Sequence, residues 1–318
     1  MNRRSFLVST LAASASLRLR AAADRITRSR VSAITDEVSR SPAESIQFAH
    51  TFGLQWLSLR NVPAPLGTHS PAYYALEPAA MREAAAQFKD AGIGIGFLDT
   101  PFLKFDLPGT EPLRKKPETP AAREKRLAHS KALFDNHIAD LRQGILASQV
   151  FQCPLVRIFT FSRVANPESL FPRIADIIGP MSTIAQKEGV KLLIENEFSQ
   201  NAGTSAETAR LLKLLPMNVG INWDTLNGLE LGEKPYPDGY DAVPKDRMWN
   251  IHVKGKSLLD YPEHLDWMAI LGSLEKDNYQ GRLELETHIF GAGQVAASHA
   301  SMKEILRLLK AKAATPES

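Results

Sequence analysis

The stretch "KLLIENEFS", Lys191–Ser199, decides how the chain is read. Leu192, Leu193 and Ile194 form a short apolar run of the kind found in strands covered on both faces. The run ends in Glu195 and, after one asparagine, Glu197. A carboxylate at the end of a buried strand needs a partner, because an ion withdrawn from water alone is costly. Seven similar runs accompany it: "RVSAITDEV" from Arg30, "LQWLSLR" from Leu54, "GIGIGFLD" from Gly92, "CPLVRIFTF" from Cys153, "NVGINWD" from Asn218, "MWNIHVKGK" from Met248 and "GRLELETH" from Gly281. Between the runs lie segments of helical period: "SPAESIQFAHTFG", "EPAAMREAAAQFKDAG", "SLFPRIADIIGPMSTIAQKEG", "TSAETARLLKLL" and the closing "VAASHASMKEILRLLKAKAA". Strand followed by helix, eight times over, predicts an α/β fold, a single-domain (β/α)8 TIM barrel. Phe102–Lys125, rich in proline and basic residues, interrupts the pattern after the third strand. It belongs on the catalytic face, either as a lid or as a plain surface excursion.

The first 23 residues differ from the rest. They carry the twin arginine Arg3–Arg4, a short weakly apolar region broken by Arg18 and Arg20, and Ala21–Ala23, which suits signal cleavage. The segment reads as a twin-arginine export signal, recognised by the Tat machinery, with residues 24–318 as the barrel and a periplasmic destination. Its apolar part is too short to span a bilayer, so no stable membrane association follows cleavage. It holds four arginines and no acid, so its removal takes the formal charge from +3 to −1. A mature chain near neutrality offers no electrostatic case for nucleic acid as a partner. The single cysteine, Cys153, has no internal disulfide partner and reads as a small buried hydrophobe.

Polar residues end the last four strand runs: Glu195, Asp224, His252 and Glu286. The carboxyl ends of barrel strands are where such folds build active sites. Three carboxylates converging there repel one another unless a cation sits among them. Two glutamates, an aspartate and a neutral imidazole suit one divalent ion, with Mn²⁺ placed ahead of Mg²⁺, Co²⁺ and Zn²⁺.

The segments "ITDEVS", "LRNV", "VRIFTFS", "LLIENE", "NWDTLNG", "NIHVKGK" and "NYQGRLELETH" span almost the whole chain beyond residue 30. Through them the sequence resembles the sugar phosphate isomerase/epimerase family of xylose isomerase-like TIM barrels, which also includes the endonuclease IV group. The resemblance implies one divalent metal held by Glu195, Asp224, His252 and Glu286. It also implies that Glu195 and Glu286 flank the substrate and exchange a proton through an enediolate. The chemistry is sound independently: a metal on adjacent hydroxyl and carbonyl oxygens acidifies the intervening C–H, and two opposed carboxylates allow removal on one face and return on the other.

The chain also departs from its relatives. Many have histidine where Glu197 stands, and ketohexose-acting members often have histidine at Asn227, glutamate at Asn201 and arginine at Leu258. Glu197 reads as a contact to a substrate hydroxyl or as a cap or loop salt bridge. Asn227 can bind a hydroxyl but cannot relay a proton near neutral pH. Lys254 and Lys256 are candidates for gripping a carbonyl oxygen or anion, with Lys256 equally suited to solvent. His288 lines the pocket or caps its strand, and Arg157 points into the barrel or against a helix. An arginine in so apolar a strand needs a partner, and the site carboxylates or a substrate would serve. The endonuclease branch would need additional histidines on the early strands, and "GFLDTPF" and "RIFTFS" lack them.

The expected activity is therefore a divalent-metal-dependent sugar isomerase or epimerase, moving a proton alpha to a carbonyl on a carbohydrate or polyol-derived substrate. The alternatives are a metal-dependent lyase, by beta-elimination on a keto-sugar or 3-keto-glycoside, and a non-catalytic carbohydrate-binding barrel. Homo-oligomerisation is expected only by analogy with related barrels.

Overall fold

The computed structural model describes residues 25–114, 116–254, 265–287 and 289–314. The export-signal reading and the positions Lys256, Leu258 and His288 lie outside the described residues.

Among the described residues eight strands form a single parallel sheet: β1 (Val31–Ala33), β2 (Trp56–Leu59), β3 (Gly94–Phe102), β4 (Leu155–Ile158), β5 (Lys191–Glu195), β6 (Val219–Asp224), β7 (Met248–Lys254) and β8 (Arg282–Glu286). Their order is β1-β8-β7-β6-β5-β4-β3-β2, and a parallel bridge from Ile34 to Ser58 draws β1 and β2 together. The sheet is thus a nearly closed barrel, and all eight runs read from the sequence contribute to it. The run from Arg30 holds two elements, with β1 followed at once by a helical turn, Thr35–Val38.

Helices cover the outside: α1 (Pro42–Phe52), α2 (Pro78–Asp90), α3 (Pro120–Val150), α4 (Phe171–Lys187), α5 (Ser205–Leu212), α6 (Trp267–Lys276) and α7 (Gln294–Ala314). Helix α1 shows how local chemistry sets the ends. The Ser41 hydroxyl accepts from the Glu44 amide at 3.3 Å, Pro42 opens the first turn, and Gly53 stops the helix at φ 60°, a conformation that favours glycine. Ser41→Ala is expected to cost about 1 kcal/mol in chemical denaturation.

Two expectations change in detail. After β6 the described chain makes only short turns, from Leu229–Leu231 to Lys245–Arg247. Pro235, Pro237 and Pro244, with Gly228, Gly232 and Gly239, interrupt any regular helix there. The interruption read as Phe102–Lys125 is also shorter than expected. Phe102 still belongs to β3, and Thr119 caps α3, so residues 120–125 are helical. Its opening part is tied to the loop beyond β4: the amides of Phe159, Phe161 and Ser162 donate to the carbonyls of Phe102, Leu103 and Phe105 at 2.8, 3.0 and 2.9 Å. Helix α3 eluded the sequence reading because its buried residues, apart from Ser130, lie in the second half, from Leu141 to Ser148.

The last four strands divide their residues between an outer and an inner face. Leu192 and Ile194, Ile221 and Trp223, Ile251 and Val253, and Leu283 and Leu285 are buried in the apolar layer between sheet and helices. Burying each such Leu or Ile contributes roughly 1.5–3 kcal/mol, more than a typical cap at about 1 kcal/mol. Cys153 lies in this layer, where burial pushes its thiol up to about 12. The alternate residues turn inward, and several are polar. Both faces of these strands are covered, yet only the outer one is uniformly apolar.

Candidate active site

Alternation places Glu195, Asn222, Asp224, Asn250, His252, Lys254, Glu284 and Glu286 on the inner face of the last four strands, all of them buried. Glu195, Asp224, His252 and Glu286 each offer one ligand atom, and these atoms lie within 4.8 Å of one another. His252 Nδ1 stands 3.2 Å from Glu286 Oε2, 3.6 Å from Glu195 Oε2 and 3.8 Å from Asp224 Oδ2. That nitrogen makes no hydrogen bond although it is fully buried. A lone imidazole nitrogen facing three carboxylate oxygens at these separations suits a shared cation better than any pairwise hydrogen bond. The four residues fit a divalent ion.

Fixed cations already balance part of this charge. Arg157 turns into the barrel, with Nη1 2.7 Å from Glu195 Oε2 and 3.1 Å from Asp99 Oδ1. Its Nε and Nη2 donate to the carbonyls of Thr100 and Asp99 at 3.2 and 3.1 Å. Lys254 Nζ lies 3.0 Å from Asp224 Oδ2 and 2.9 Å from Glu286 Oε2. Burial opposes the ammonium, but Asp224, Glu286 and Glu195 outweigh it and hold Lys254 above the usual lysine range. Burial likewise opposes ionisation of Asp224 and Glu286, yet Lys254 and His252 hold both carboxyls down, Glu286 well below the ordinary range. Burial disfavours a charged His252, and Glu195 and Glu286 more than compensate, raising the ring well above its ordinary value. The centre therefore draws positive charge to itself.

A cavity of about 330 Å³ opens over this centre, lined among others by Glu195, Glu197, Asn227, Lys254, Arg157 and Glu286. The structure brings together every described candidate from the sequence. Glu197 reaches the cavity while also closing its own turn: Ser199 Oγ donates to Oε2 at 2.5 Å, and Lys104 lies 3.8 Å away. Asn227 Nδ2 donates to Glu195 Oε1 at 3.3 Å, and its amide N–H donates to Asp224 Oδ1 at 2.9 Å. Asn227 thus braces two of the four central groups. Arg157 is engaged with protein carboxylates, so its first role is to hold Glu195. Asn201 faces away from the cavity, donating to the carbonyls of Thr160, Phe161 and Ser162 at 2.8, 3.1 and 3.1 Å.

Sequence reasoning missed a second set of groups, just beyond β1 and β2 and on the inner face of β3 and β8. Arg60, beyond the end of β2, places Nη1 3.4 Å from Glu286 Oε1, Nη2 2.8 Å from Glu37 Oε1 and Nε 3.1 Å from Asp36 Oδ2. Burial, only partly offset by Arg60, pushes the Glu37 carboxyl up to about 7. Asp99 on β3 and Glu284 on β8 sit beneath His252. The alternation in "GFLD" and "LELE" was the available signal: it puts Asp99 on the inner face with Phe97, and Glu284 on the same face as Glu286.

A comparison with curated proteins gives no sequence match. Among solved structures, a probable 3-DHS dehydratase from Bacillus anthracis superposes with TM-score 0.63 at 17% identity, covering 87% of this chain and 98% of its own. A 3-keto-D-glucoside 4-epimerase from E. coli gives 0.60 at 13%, covering 88% and 99%. A xylose isomerase-like TIM barrel protein from Mycobacterium smegmatis in complex with magnesium gives 0.63 at 14%, covering 91% and 100%. At these identities the likeness establishes the fold. The family model described as xylose isomerase-like TIM barrel matches residues 46–312, and to that family this chain belongs.

Proposed function

We propose that the protein is a divalent-metal-dependent enzyme that moves a proton alpha to a carbonyl of a carbohydrate or polyol-derived substrate, as an isomerase or epimerase. The observation that carries this reading is the unbonded His252 Nδ1 facing Glu195, Asp224 and Glu286, of which Glu195 and Glu286 line an open cavity. Glu195, Asp224, His252 and Glu286 would hold the ion. When bound, the ion supplies the positive charge that acidifies a C–H between hydroxyl and carbonyl and stabilises the resulting enediolate.

The chain's own groups supply the rest. Glu195, braced by Arg157 and Asn227, and Glu286, braced by Arg60 and Lys254, stand on β5 and β8 with the cavity over both. One carboxylate removes the proton and the other returns it. Neither needs to move, because each is anchored by charged or amide donors. Lys254 stays protonated beside them and can meet an oxygen of the substrate. The magnesium in the Mycobacterium smegmatis relative supports the choice of a hard divalent ion, and Mn²⁺ is the first to try. We further propose that the twin-arginine segment exports the enzyme to the periplasm.

A lyase is the second reading, and Asn201 favours it. Where ketohexose-acting relatives carry a glutamate, this chain has an amide committed to three backbone carbonyls. Solvent deuterium exchange on keto-sugars, with mature protein loaded with Mn²⁺, distinguishes the two. Exchange with all substituents retained is expected for the isomerase, and release of water or an aglycone identifies the lyase. Elemental analysis should give about one divalent ion per chain, lost in Asp224→Ala. A chain that takes up no ion would refute both readings.

A further inference from the structure

His252 meets carboxylates on both edges of its ring. We infer that Asp99 and Glu284 are positioning residues that fix this imidazole, with its Nε2 hydrogen pointing away from the centre and its Nδ1 lone pair pointing into it. The inference rests on the metal-site reading above.

Nε2 lies 3.3 Å from Asp99 Oδ1 and 3.3 Å from Glu284 Oε1. Both oxygens are buried and accept no hydrogen bond, and Nε2 makes none. The other Glu284 oxygen is fully engaged: Oε2 accepts from Ser58 Oγ at 2.5 Å, Asn250 Nδ2 at 3.2 Å and Ser32 Oγ at 3.4 Å. Glu284 is therefore pinned by one oxygen and presents the other to the ring. Asp99 is held differently, through Arg157 Nη1 at 3.1 Å, the same nitrogen that reaches Glu195 Oε2 at 2.7 Å. The ring is thus set from below by two carboxylates whose own places are fixed by four strands.

A neutral imidazole has one N–H and one lone pair, and the partner of the N–H decides which nitrogen keeps which. With carboxylates at Nε2 the hydrogen belongs there. Negative charge at Nε2 also makes Nδ1 a stronger donor to a cation. The rival arrangement puts a second ion among Asp99, His252 and Glu284. It would require the same ring to donate from both nitrogens and so to carry no hydrogen at all. Ser58 and Asn250 already satisfy the Glu284 oxygen that does not face the ring. The positioning role needs neither concession.

Asp99→Asn and Glu284→Gln keep shape and remove charge. Mn²⁺ affinity by equilibrium dialysis and metal-free thermal unfolding are measured on the mature wild type and both variants. The expected result is one ion in the wild type, affinity weaker by about 10–100-fold in each variant, and a metal-free melting temperature close to that of the wild type. Unchanged affinity would overturn the inference while leaving the metal site standing. Affinity lost only in step with metal-free stability would reduce both residues to structural roles. Two ions in the wild type, falling to one in either variant, would make this a second metal site. A wild type that binds no ion overturns the inference and the metal reading together. If Glu284→Gln fails to fold, Asp99→Asn decides alone, since asparagine keeps an oxygen for Arg157 and Arg157 keeps its contact with Glu195.

Discussion

Glu195→Gln and Glu286→Gln, assayed with Mn²⁺ at saturation on a confirmed substrate, are expected to lower turnover by about 10²–10⁴-fold, the range associated with a positioned proton-transfer group. That corresponds to roughly 3–5 kcal/mol of barrier, at about 1.36 kcal/mol per factor of ten. Both residues sit among the groups that converge on the candidate ion, so metal content must be measured beside the rate. A variant that keeps its ion yet loses turnover separates proton transfer from ligation. The two substitutions need not behave alike. Glu195 Oε2 receives Arg157 and Asn222 at 2.7 and 3.2 Å, while Glu286 Oε2 lies 2.9 Å from Lys254. Solvent-exchange kinetics in each variant would show which carboxylate removes the proton. Intact turnover in either would refute its assigned role.

Arg157→Leu should be the most damaging single substitution for stability. It removes the guanidinium shared by Glu195 and Asp99 and leaves two buried carboxylates facing each other's field. Burial and the neighbouring Glu284 already push Asp99 up to about 6, with Arg157 opposing them. Breaking one side of a buried ion pair costs about 3–5 kcal/mol, because the abandoned charge stays buried. Urea denaturation of the metal-free variant checks this. A loss below about 1 kcal/mol would mean that water replaces the guanidinium beside Glu195 and Asp99.

These two expectations differ in how far the sequence foresaw them. Glu195, Asp224, His252 and Glu286 were legible because each follows an apolar residue at or near the carboxyl end of its strand, where barrels build their sites. Arg157 was legible as a problem, a charge in an apolar strand, and its partner Glu195 lies on the neighbouring strand. Asp99 and Glu284 were passed over although their runs alternate. Consecutive apolar residues in several runs suggest strands covered on both faces, and that pattern masks a polar inner face. Arg60 and Glu37 carried no local signal. They matter because β1 and β2 close the barrel against β8, bringing Arg60 to Glu286 and Glu37 to the Thr287 amide across more than 220 positions of sequence.

Pattern alone therefore determined the eight strands, most of the covering helices, the barrel class and the four residues of the candidate centre. These follow from periodicity and from the cost of burying charge, which act locally along the chain. Tertiary structure decided the rest. It showed which carboxylates meet each face of His252, that Lys254 lies between Asp224 and Glu286, and that Asn201 points away from the cavity. Those outcomes depend on strand register and barrel closure, which place residues distant in sequence within 4 Å of one another, where burial makes each charge depend on its neighbours.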